Sequence, residues 1–231
     1  MRDSIRTKAY FDEFIAQDKE RICKFQDKLN SGSIDDERVP LINNKIIYLK
    51  TDLIIAKYSR GDSINDIKNE FEELIDMVCE KGDVSIYEDN LCLASLAYLL
   101  GVNSDKMMRL RSKLMESETY DYLIDFVFLG FESDIDINKI SFQREYKKLT
   151  KYIDDRTKET FLKYLRGWYR SHLHSSWYDS HKNEKFKLYF GYWCFEAGAI
   201  AKRLQLDDND LQNEQYYPYD MVHFNWVMTR W

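Results

Sequence analysis

"YFGYWCFEAGAIAKRL", Tyr189 to Leu204, is the most apolar long window in a chain that is otherwise polar and charged. Large aromatic rings alternate with glycine and alanine, and a single carboxylate, Glu196, stands at the centre. The window has the length of a last long helix, lying at the centre of the packing. Gly191, Ala197, Gly198 and Ala201 would then let neighbouring helices approach closely, and Glu196 would lock them by a buried pair. Two readings of Glu196 are open. Burial disfavours its charge and can make it a general acid, but a catalytic pair needs a second group. The positions three and four residues away hold Tyr192, Trp193, Ala199 and Ile200. The alternative is a buried carboxylate paired with a tyrosine hydroxyl or an arginine of another helix, with Arg166 and Arg170 as natural candidates.

Working outward, the helical period recurs almost everywhere. In "YFDEFIAQDKERICKFQDKL" the apolar residues Phe11, Phe14/Ile15, Ile22 and Phe25 recur at helical spacing, with charges on the other face. Asp3 or Ser4 is placed to cap this helix and "NSGS", residues 30–33, to stop it. A second helix is expected from Asp35 to Tyr58, with Pro40 in its first turn and Gly61 after its end. Ser63 and Ser104 are placed to cap the third and fifth helices. "IYEDNLCLASLAYLLG" reads as a central helix. "ETYDYLIDFVFLGF" is apolar over most of its surface. "ESDIDIN", residues 132–138, is a polar break and divides the chain into 1–131 and 132–231. Two basic amphipathic helices follow, then a histidine-containing loop, the opening window, the loop "LDDNDLQNEQYYPYD" and a short closing helix from Met221 to Trp231. The expected class is all-α: a bundle-like array of about eight to ten helices whose halves share one core.

The 231 residues suffice for one large domain or two small ones. The net charge of −6 is unevenly spread. Residues 1–130 hold 18 Lys/Arg against 25 Asp/Glu, whereas residues 139–187 form a basic island of 13 cations against 6 anions. The acidic first half disfavours wrapping a nucleic acid and suits a basic protein partner. Cys23, Cys79, Cys92 and Cys194 form no CxxC pair and read as free thiols of a reducing compartment. The N-terminus lacks an apolar signal core and no run approaches membrane-spanning length, so the expectation is a cytoplasmic protein with no membrane contact.

Candidate chemistry is sparse. His172, His174 and His181 lie close in sequence, and with Glu196 they define the alternative of a metal-dependent hydrolase. Neither HExxH nor HxxEH occurs. Asp207, Asp208, Asp210 and Glu214 resemble a calcium loop in composition but not in residue order. They read equally as a solvated loop or as an acidic patch for a basic partner. No cofactor motif, phosphate-binding glycine loop or nucleophile–base pair is present. A helical scaffold without enzymatic activity is the third reading.

Three stretches carry a resemblance to a known family. "MRDSIRTKAYFDEFI", residues 1–15, is similar to the opening of the PoNi proteins, the immunity proteins of polymorphic nuclease effectors. "YFGYWCFEAGAIAKRLQLDD", residues 189–208, is similar to the central stretch of that family's C-terminal domain. "YYPYDMVH", residues 216–223, resembles its closing motif, and "WYDSH", residues 177–181, is compatible with the same pattern. Gly198 departs from it, because alanine is expected there; glycine loosens a helix by roughly 1 kcal/mol unless a ring packs onto it. The resemblance implies a helical, non-enzymatic bacterial antitoxin of the cytoplasm. Such a protein binds the nuclease domain of a cognate DNase toxin delivered by type VI or other contact-dependent secretion. It implies no cofactor, no metal and no direct nucleic-acid contact; a homodimer is compatible with it. An acidic surface with aromatic anchors suits a nuclease's basic cleft. The candidate contact residues are Asp207, Asp208, Asp210, Glu214, Tyr216, Tyr217, Asp220, Glu132, Asp134 and Asp136, together with the acidic stretch from Glu118 to Asp125. Gly191, Trp193, Glu196 and Pro218 are expected to be structural.

Overall fold

The computed structural model describes residues 1–224. It contains ten α-helices and no strand among the described residues: α1 (Lys8–Asn30), α2 (Val39–Arg60), α3 (Ile64–Lys81), α4 (Tyr87–Leu100), α5 (Ser104–Leu114), α6 (Tyr122–Leu129), α7 (Gln143–Asp155), α8 (Lys158–Ser171), α9 (Phe195–Arg203) and α10 (Tyr219–Val222). No helix among the described residues is long and apolar enough to cross a membrane. Two compact units form. One comprises residues 1–83 and 179–191, the other residues 84–178 and the described residues from 192 onward.

In the first unit, α2 packs against both α1 and α3. Their apolar stripes are buried as the periodicity requires, with Phe11, Phe14, Ile46, Tyr58, Phe71 and Ile75 in the core. The cap of α1 differs from expectation. Thr7 holds the N-cap, its hydroxyl accepting from the Tyr10 amide. Asp3 is buried and accepts instead from the amides of Ile5 and Arg6 and from the Tyr189 hydroxyl. A short 3₁₀ turn, Asp36–Arg38, precedes α2, so that helix starts four residues later than expected, with Pro40 in its first turn. Gly61 ends α2 at φ +98°, and a Cβ there would stand 2.8 Å from the Met1 nitrogen. The left-handed turn and the docked N-terminus therefore both require glycine. The returning segment 179–191 is held by the Ser59 hydroxyl donating to the Phe190 carbonyl (2.8 Å) and by Lys187 paired with Glu13 (2.6 Å).

In the second unit, α4 is buried almost all round and contacts α5, α6, α9 and α10, while α7 and α8 form a pair. Asn103, not Ser104, caps α5, because its side chain accepts from the Lys106 amide; Ser104 is the first helical residue. Two adjacent cations of α9 close the ends of neighbouring helices. The Lys202 ammonium donates to the carbonyls of Leu99, Met221 and Phe224, and the Arg203 guanidinium donates to those of Val127 and Phe128. Last-turn carbonyls lack intrahelical partners and carry the negative end of the helix dipole, so a cation there is doubly favoured.

The opening window is not one helix. Only Phe195–Arg203 is helical; residues 187–194 have no regular structure and Gly191 lies at φ +118°. The chain leaves the first unit at Gly191 and enters the second at Tyr192. The long apolar character therefore arises from two different burials in sequence rather than from one buried cylinder. The closing helix is described only over Tyr219–Val222, and residues 225–231 of that expectation lie outside the described residues.

Candidate functional site

Glu196 occupies the first turn of α9 and is 7% exposed. Its Oε1 accepts from the Tyr164 hydroxyl (2.7 Å), the Trp168 indole N–H (2.7 Å) and the Cys194 thiol (3.1 Å). Tyr164 and Trp168 are four residues apart and so project from one face of α8. The expected tyrosine partner is present. Arg166 and Arg170 are not partners: they sit on the exposed face of α8, and Arg166 pairs with Glu214. Burial, followed by the adjacent Glu196 charge, pushes the Tyr164 hydroxyl and the Cys194 thiol well above their ordinary ranges. Both therefore stay protonated and act as donors to the carboxylate rather than as nucleophiles. His172 continues the same face of α8. Its Nδ1 lies 2.7 Å from the Trp168 carbonyl and its Nε2 3.2 Å from the Tyr146 hydroxyl.

Rings extend this cage outward. Trp168 stacks on Trp177 (5.2 Å, 15°), while Tyr169 stacks on Tyr178 (4.5 Å, 24°) and Tyr216 (5.5 Å, 17°). Tyr192 fits against both Tyr169 and Trp177. Glu88 accepts from Ser175 and the Trp177 indole. Tyr216 holds φ +71°, a costly conformation for a bulky residue; its ring is stacked and its carbonyl accepts from the Cys194 amide (2.8 Å). Pro218 lies against Gly198, where a Cβ would meet its ring at 2.6 Å. Residues 177–178, 192–198 and 216–218 thus converge on one aromatic cluster. Trp193 is half-buried and Gly191 is buried.

The acidic candidates separate into three groups. Asp208 and Tyr217 are buried, and the Asp208 carboxylate accepts from the Tyr217 hydroxyl (2.6 Å) and lies 2.8 Å from His223 Nε2. Asp121 and Asp125 are also interior: Asp121 caps α6, and Asp125 pairs with Arg111 (2.9 Å). A second group is surface-paired to α8, with Asp210 on Lys158 and Glu214 on Arg166. This accounts for part of the basic island. Asp207, Asp220, Glu132, Asp134 and Asp136 are exposed.

The hydrolase alternative does not assemble. His172 is buried with its ring nitrogens on the Trp168 carbonyl and the Tyr146 hydroxyl, His174 is exposed and His181 is half-buried. No group of three or more His, Cys, Asp or Glu side chains among the described residues is placed to hold a metal ion.

Residues 2–112 match the family model for PoNe immunity protein (PoNi), N-terminal, and residues 115–221 match PoNe immunity proteins (PoNi), C-terminal. The chain belongs to the PoNi family. Comparisons with curated proteins and with solved structures returned no match. The matched PoNi C-terminal region contains the whole aromatic cluster, and also the segment 179–191 that folds into the first unit. A tyrosine donor was expected without its position, which is Tyr164; the indole of Trp168 and the thiol of Cys194 were not expected. The signal for Tyr164 and Trp168 was the four-residue spacing, continued by His172, on the face of α8 opposite its cations.

Proposed function

We propose that this PoNi protein neutralises a cognate DNase toxin by stoichiometric binding that blocks the toxin's nuclease domain, in the bacterial cytoplasm and without catalysis. The observation that carries the reading is the match of both PoNi regions over nearly the whole chain. The chemistry supports it. The buried carboxylates are engaged by protein donors, leaving Glu132, Asp134, Asp136, Asp207 and Asp220 exposed. Carboxylates on an open surface complement a phosphate-binding cleft and accelerate encounter. Asp210 and Glu214 share the loop of Asp207 but are partly neutralised by α8, while Asp208 and Tyr217 hold the shape of that loop from beneath. The test is co-expression with the nuclease domain of the secreted protein encoded beside this gene. Cells are expected to survive only when this chain is also made. Death despite its soluble expression sinks the reading.

A further inference from the structure

The basic island is only partly absorbed by the pairs on α8. On α7, Lys147, Lys148 and Lys151 are exposed, and none forms an ion pair among the described residues. They line a surface cavity of about 490 Å³ together with the half-buried Ile137 and Ile140 and with Asp154. Lysine stems add apolar surface while their ammonium groups stay in water. The cavity therefore combines apolar surface with cations, and its size suits one bulky side chain with its neighbours. The stretch that carries Glu132, Asp134 and Asp136 runs directly into Ile137.

We infer that this groove receives an acidic segment of the toxin partner, seating an apolar side chain on Ile137 and Ile140 and its carboxylates against Lys147, Lys148 and Lys151. The inference rests on the immunity reading above. Charge complementarity selects the occupant. Exposed cations beside apolar surface are satisfied by a segment that brings both carboxylates and a hydrophobic anchor. A nucleic acid fits less well, because its phosphates would meet only the lysines and leave the apolar surface of Ile137 and Ile140 uncovered. The interface then has two signs of charge, acidic before Ile137 and basic along α7. That arrangement fixes orientation and rejects partners with the wrong pattern.

The test measures binding kinetics of the full chain with the purified nuclease domain of the neighbouring toxin. Wild type is compared with K147E/K148E/K151E and with K147Q/K148Q/K151Q, and unchanged thermal unfolding of both variants verifies the fold. Charge reversal is expected to weaken binding about tenfold or more, mainly through faster dissociation, with the glutamine variant intermediate. Wild-type binding that both variants match within about twofold overturns the groove assignment and leaves the immunity reading standing. Absence of wild-type binding overturns both. Loss of binding to a labelled DNA oligonucleotide, with toxin binding unchanged, overturns the assignment in favour of nucleic acid.

Discussion

Glu196 and Asp210 both lean on α8, from opposite surroundings. Glu196 meets the inward face and is held by the neutral donors Tyr164 and Trp168. Asp210 meets the outward face and is held by Lys158, which pulls its carboxyl below the ordinary range. One amphipathic helix thus serves two carboxylates in two ways. Inside, a full ion pair would have to recover the desolvation of two charges, whereas a cage of protonated hydroxyl, indole and thiol desolvates only one. Outside, water does most of the solvating of Asp210 and the Lys158 pair adds little. The interior cage lies within the matched PoNi C-terminal region and is held by buried donors, whereas the exterior carboxylates are held weakly.

The largest expected effect is at the cage. Glu196→Ala removes the acceptor for three buried donors and leaves a cavity, for a loss of about 3–5 kcal/mol in denaturant unfolding. Glu196→Gln keeps an acceptor oxygen and costs about 1–2 kcal/mol. If both variants unfold at the wild-type midpoint, the cage is not holding α8 to α9. Next is Gly198→Ala. Intrinsic propensity favours alanine by roughly 1 kcal/mol, but the new methyl would strike the Pro218 ring at 2.6 Å and a Val222 methyl at 3.2 Å. A net loss of about 1–2 kcal/mol follows from overpacking. A gain in stability would show that the loop carrying Pro218 yields easily.

Gly198 also marks what was legible in the sequence. The class, the apolar stripes of α1 and α3 and the central place of α4 follow from periodicity, because burial on one face or all faces leaves a pattern in the residues. The cap at Thr7 was hidden because Asp3, Ser4 and Thr7 are all good caps, and only the tertiary contact of Asp3 with Tyr189 chooses between them. The window 189–204 misled for a related reason: continuous apolar character signals burial, not helix, and Gly191 allows the turn that divides it. In the site, Glu196 stood out as a lone carboxylate among rings. Of the two expected partner types, the tyrosine hydroxyl is the one present, on the face of α8 opposite Arg166 and Arg170.

Asp89 lies between the two extremes. It sits half-buried in the first turn of α4, and burial, then the neighbouring Glu88 charge, pushes its carboxyl up to about 6. A carboxyl raised in the fold penalises the folded state once ionised. Its cost is absent below about pH 4, the ordinary carboxylate range, and fully present above about pH 6. Asp89→Asn should therefore gain about 1–2 kcal/mol at pH 7.5, the favourable α4 dipole offsetting part of the penalty. The gain should vanish below pH 4. A gain independent of pH would assign it to packing instead.

The smallest effect on stability is expected on the surface, and it is the most informative about function. Glu132, Asp134 and Asp136 are exposed, with Asp136 bonded only locally to Asn138. Reversing all three to lysine should lower the unfolding midpoint only slightly, because the three side chains are exposed, although the Glu132 charge reaches Arg203. The same variant should associate with the nuclease domain about three- to tenfold more slowly and lose much of its salt dependence, since exposed charges act on encounter rather than on the docked state. Reversing Asp207 and Asp210 should do less, because Lys158 already neutralises Asp210 in the free protein. If the second pair slows association more than the first three residues, the loop beside α8 and not the stretch before α7 meets the toxin first. If instead neither set moves the rate while Glu196→Gln does, the division between a supporting interior and a binding exterior fails.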